Sequence, residues 1–141
     1  MSTMVANSLH TVFEREISRF LSHTSENPTA RLYRNRRAAV RHHKAVPLFV
    51  ARFDQALPID IGVRLHDIST GGLGFYSRWS FPVGTLLGVK LFWADQSAPR
   101  IPAVVRHYQI KTEGVLVGAA FVLDDLRACE RVQRYSRNWY G

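Results

Sequence analysis

One cysteine, Cys129, among 141 residues excludes an internal disulfide and any multi-cysteine zinc site. It lies in a segment patterned as the last helix, where a free cysteine is a small buried apolar residue, and no neighbouring motif gives it a redox role. No apolar run approaches the roughly 18 residues of a membrane-spanning helix. The first residues lack the basic start and unbroken apolar stretch of a secretory signal, so the cytosol is the expected compartment. Catalytic groupings are missing too. The six histidines are scattered, and adjacent His42 and His43 do not suit two metal ligands on one face of a strand or helix. There is no paired-carboxylate or Ser/His/Asp pattern, and Gly71, Gly72 and Gly74 are followed by no helix, so they form no dinucleotide fingerprint. An enzyme is disfavoured, and neither a metal nor a cofactor is expected.

The remaining scarcity is local. Residues 31–44 contain no acid, yet they hold Arg31, Arg34, Arg36, Arg37, Arg41 and Lys44. The formal net charge is +8, and removing those six leaves +2, so the basicity is concentrated in one arm. Such a patch suits an anionic partner: nucleic acid, a phosphorylated small molecule or an acidic surface.

What is abundant is apolar residue in short, regular patterns: 46% of the chain is hydrophobic, enough for a real core. Val12, Phe13, Ile17, Phe20 and Leu21 recur on one helical face across residues 8–22, and Thr11 with Glu14 has the form of a capping box. That stripe is read as packing against the rest of the fold in preference to a docking surface. A polar break ending in Pro28 precedes the basic arm. From Val46 the period falls to two. Val46, Leu48 and Val50 alternate with Pro47, Phe49 and Ala51, while Ile59, Ile61, Val63 and Leu65 alternate with Asp60, Gly62, Arg64 and His66. Leu87, Val89, Leu91 and Trp93 form a third apolar face, and Val115–Leu123 is apolar on both faces, as for a strand covered on both sides. With Gly72–Ser77 and Ile101–Ile110 there are about six strands without intervening helices, which implies an antiparallel barrel or sandwich. Closure into a barrel would remove exposed edges. A last helix is predicted from Asp124 or Asp125, with Leu126, Cys129 and Val132 on its buried face.

Two short motifs stand out against this background. Arg37-Ala38-Ala39-Val40-Arg41 places two arginines four apart in the arm, and Asp67-Ile68-Ser69-Thr70-Gly71-Gly72 closes one strand and opens the next. Each alone is weak, since the second reads equally as a turn with side-chain hydrogen bonds to its own backbone. Together, in order and 26 residues apart, they resemble the PilZ family. The likeness runs over roughly residues 34–125 and takes in Gly72-Leu73-Gly74-Phe75, Val104-Val105-Arg106 and Val117-Gly118-Ala119-Ala120-Phe121.

The resemblance implies a mainly β fold: a six-stranded antiparallel PilZ-type β-barrel with a C-terminal helix and an N-terminal amphipathic helix. The expected organisation is a helix and linker over 1–30 and a PilZ domain over 31–141, with the arm at 31–45, the barrel at 46–123 and the last helix at 124–139. It also implies cyclic di-GMP as ligand. Arginine can grip phosphate oxygens bidentately, pair with guanine O6 and N7, or stack on the purine, and those jobs are expected of Arg37 and Arg41. Asp67 would accept from guanine N–H groups, Ser69 would add a smaller hydrogen bond, and Gly72 would let backbone and ligand approach and tolerate a positive φ. Arg36 adds charge where a second ligand would sit, so two ligands per chain are expected. Arg31 and Arg34 are read as electrostatic steering. The arm, poor in large apolar groups, is expected to order on binding, swing the N-terminal helix and signal through a protein partner. The alternatives are a nucleic-acid-binding β-barrel, which gives Asp67 no role, and a PilZ-like adaptor acting without ligand.

Overall fold

The computed structural model describes residues 3–23, 42–43, 46–54, 58–92 and 94–140. Its centre is a closed antiparallel barrel of six strands: β2 (Pro47–Arg52), β3 (Ile59–Ile68), β4 (Gly72–Ser77), β5 (Leu86–Lys90), β6 (Ile101–Lys111) and β7 (Gly114–Phe121). Around the barrel β3 pairs with β4, then β7, β6, β5 and β2, and β2 returns to β3. A two-residue strand β1 (His42–His43) pairs with Ile68 and Asp67 and prolongs the β2 edge along β3. The alternation read from the sequence fills the inside: Leu48, Val50, Val63, Leu65, Phe75, Leu87, Val89, Val105 and Val117 are all buried. Ile59 departs from that face and is half-exposed.

Helix α1 (Thr3–His23) buries Phe13, Ile17 and Phe20 in the same core. Phe13, Ile17 and Phe20 of its apolar stripe are therefore packing, while Val12 stays exposed. The helix does not begin at the Thr11–Glu14 pair; it starts at Thr3, Leu9 extends the stripe by a turn, and Glu14 pairs with His10 at 2.9 Å. Phe20 meets Phe92 edge-on at 5.5 Å, and the Arg19 guanidinium lies 4.0 Å from the Phe92 ring centre. Burial beneath this contact pushes the Glu16 carboxyl above its usual range, opposed by Arg19 at 3.0 Å.

Helix α2 (Leu126–Tyr140) starts where Asp125 accepts the Ala128 N–H at 3.1 Å, an N-cap. Cys129 and Val132 are buried beneath it, and desolvation, reinforced by Asp125 and Asp124, pushes the Cys129 thiol up to about 11. An inert packing thiol is the result. Val132 packs on Ala51 and Phe53, so α2 covers the outside of β2 and β5. No helix among the described residues is long and apolar enough to cross a membrane.

One ion pair ties the start of β6 to β3. Arg100, 3% exposed, forks onto Asp60 with Nη1–Oδ1 at 2.8 Å and Nη2–Oδ2 at 2.9 Å. Arg100→Ala is expected to strip this bond, leave Asp60 half-buried, and lower unfolding stability by about 1.5–3 kcal/mol in a urea titration.

Candidate functional site

Asp67 is the residue whose position most needs explaining. Along β3, Val63 and Leu65 point into the core, and strict alternation would send Asp67 inward with them. It does not go there. The β3–β4 register slips between Leu65 and Asp67, so His66 is an extra residue and Asp67 pairs with Gly74. A β-bulge of this kind turns the following side chain onto the other face. Ile68 then returns to the core opposite Leu73. The Asp67 carboxylate lies across Gly74 on the outside of the barrel, in the space a Cβ there would occupy.

The second motif residues form the turn that follows. Ser69 N–H donates to the Gly72 carbonyl at 2.9 Å, and the Ser69 hydroxyl accepts the Gly71 N–H at 3.2 Å. Ser69 is buried, and among the described residues its hydroxyl is seen only accepting from Gly71. Gly72 serves a close approach between strands: a Cβ would collide with the Ala119 carbonyl of β7. The expected positive φ is absent; that conformation belongs to Gly84 and Gly114.

Between these residues and β6 runs a trough of about 390 Å³. Its floor is two cross-strand pairs of small residues, Gly72 with Ala120 and Gly74 with Gly118. The β7 strand is therefore not covered on both faces; its outward Gly118 and Ala120 line this trough. One wall is His66, Asp67 and Ser69, and the other is Arg106 and His107. His66 stands edge-on to Tyr76 at 5.4 Å.

Asp67, Ser69 and Gly72 are thus brought together. Arg36, Arg37 and Arg41 lie outside the described residues, as does the arm whose ordering was expected. The chain re-enters at His42–His43, where His42 pairs with Ile68 and His43, two residues after Arg41, pairs with Asp67. Sequence reasoning gave no role to Gly74, Arg106, His107, Gly118 or Ala120. The available signal was glycine at outward positions inside two strands, which marks close approach of something else. Among the described residues no group of His, Cys, Asp or Glu could hold a metal ion.

The barrel thus carries a polar-walled trough over a floor of small residues. The PilZ domain model matches residues 35–138, most of the chain, which therefore belongs to the PilZ domain family. Among solved structures it is similar to YcgR from Escherichia coli in complex with c-di-GMP, at 18% identity over 74% of this chain and 46% of that one, with a TM-score of 0.47. It is also similar to the PilZ domain of YcgR with c-di-GMP, at 16% identity over 73% of this chain and 90% of that one, with a TM-score of 0.46. A third is the Bacillus subtilis inhibitor of motility MotI/DgrA, at 18% identity over 74% and 51%, with a TM-score of 0.45. The chain spans about half the length of full YcgR and MotI/DgrA. No curated protein matches it.

The floor separates two roles for glycine. Gly72→Ala drives a methyl into the β7 backbone and is expected to cost about 1–3 kcal/mol of stability. Gly74→Ala meets mainly the Asp67 carboxylate, so its melting temperature should stay near that of the parent chain. Thermal denaturation of the two variants side by side checks this ordering.

Proposed function

We propose that this chain is a receptor for cyclic di-GMP that reports ligand occupancy to a protein partner and performs no chemistry itself. The observation that carries the reading is the outward Asp67, held over a glycine floor by a bulge and bordered by the Ser69 turn. A carboxylate on a concave surface suits the N1–H and N2–H₂ donors of guanine, and no other common base offers that pair. It also argues against a nucleic-acid barrel, because a carboxylate in the groove repels a phosphate backbone.

In this reading Arg37 and Arg41 grip the phosphates and stack on the bases, with Arg36 adding charge for a second ligand. Ser69 donates its hydroxyl proton, and Gly72 keeps the floor low. The arm enters beside Asp67 through the His42–His43 pairing, which joins its order to the occupied site. Helix α1 packs on the core through Phe13 and Ile17, and in this reading ordering of the arm swings the helix relative to the barrel and alters the surface offered to a partner. The cytosol, where cyclic di-GMP is made and read, is the compartment this function requires.

Calorimetry with cyclic di-GMP, GTP and single-stranded RNA tests the class. The cyclic dinucleotide should bind, and Arg37→Ala and Arg41→Ala should each weaken it ten- to a hundred-fold, the equivalent of about 1.5–3 kcal/mol. Salt-dependent RNA binding without a response to the dinucleotide would overturn the reading.

A further inference from the structure

The β3 bulge that turns Asp67, still 5% exposed, to the outer face of the barrel has a counterpart on β6. The β6–β7 register slips between Val105 and His107, so Arg106 is an extra residue and His107 pairs with Gly118. Val105 is fully buried, and alternation alone would have sent His107 after it into the core. The slip turns His107 outward instead. Its ring occupies the space above Gly118 that a Cβ would fill, just as the Asp67 carboxylate occupies the space above Gly74.

The pairings Asp67–Gly74, Gly74–Gly118 and Gly118–His107 form one row across four neighbouring strands. Three inter-strand steps separate the two walls by about 14 Å measured along the curved sheet. Both side chains lean inward over glycine, which narrows the gap between them. Arg106 and His107 are exposed, line the trough, and make no hydrogen bond, ion pair or ring contact among the described residues. Neither is needed to hold the fold. A bulge, a glycine under the ring and two unpartnered polar side chains facing a cleft together indicate a surface shaped for something outside the chain.

Resting on the cyclic di-GMP reading, we propose that His107 is a base-stacking shelf: one side of its imidazole is backed by Gly118, and the other takes the face of a guanine of the bound dinucleotide. Arg106 beside it supplies positive charge to the same ligand. The two walls then read different properties. Asp67 reads the hydrogen-bonding edge of guanine, while His107 reads only a flat π-face and tolerates any purine.

The test uses the full chain with His107→Ala, His107→Phe and Asp67→Ala, each checked for an unchanged melting temperature. Calorimetry with cyclic di-GMP should show a five- to hundred-fold loss for His107→Ala, with His107→Phe restoring affinity to within a few-fold of the parent. In the parent chain, the ring C–H resonances of His107 should move upfield on saturation, as a stacked purine requires. If Asp67→Ala abolishes binding while His107→Ala binds like the parent, the shelf is wrong and the receptor reading stands. If His107→Phe is as weak as His107→Ala and the ring resonances stay in place, the imidazole acts other than by stacking, and the proposal fails. If the parent chain does not bind cyclic di-GMP at all, the receptor reading falls, and the shelf falls with it.

Discussion

The pairing of β3 with β4 closes the barrel, and the bulge within that pairing is the constraint on which the site depends. Without closure the barrel would leave two exposed edges. Without the bulge, Asp67 would be a carboxylate aimed into a core of Leu65, Phe75 and Val117, where an unpaired charge is prohibitively costly. One extra residue, His66, resolves both demands, and Ile68 can still return to the core opposite Leu73. The same device recurs at Arg106 on β6. Two slips in an otherwise regular barrel turn the two polar walls outward, on either side of the Gly74–Gly118 pair.

The barrel has two bare places on its outside, and their contrast is informative. Over β2 and β5, Gly88 and Ala51 are small because α2 lies on them: a Cβ at Gly88 would sit 3.1 Å from Val132 Cγ1 and 3.3 Å from Phe53 Cε2. That patch is filled by the protein's own helix. Over β4 and β7, Gly72, Gly74, Gly118 and Ala120 are equally small, and among the described residues it is the Asp67 and His107 side chains that lean across Gly74 and Gly118. Glycine inside a strand costs backbone entropy and contributes no packing. Three of them in adjacent strands are accounted for by what lies against them: the Ala119 carbonyl at Gly72, the Asp67 carboxylate at Gly74 and the His107 ring at Gly118.

Much of this was legible in the sequence. The period-two runs located the strands because each has one face in the core, and the Asp-x-Ser-x-x-Gly motif located the first wall. The orientation of Asp67 was not legible, since alternation from Leu65 assigns it inward and a bulge leaves no compositional mark. For the same reason His107 looked like one more scattered histidine. Val115–Leu123 reads as covered on both faces because glycine and alanine count as apolar, whereas in the trough they matter for their size. The Thr11–Glu14 pair misplaced the start of α1 because a capping box is only a local signal, and Leu9 continues the buried stripe beyond it.

The central claim is that the glycine floor between Asp67 and His107 is where the dinucleotide lies. Backbone amide shifts during titration with cyclic di-GMP address it most directly, because glycine amides are well resolved. The account predicts saturable shifts at Gly72, Gly74 and Gly118 that stop at a defined ligand ratio. Shifts that leave these three in place and fall on the opposite groove around Phe49, Arg64 and Tyr76 would contradict it.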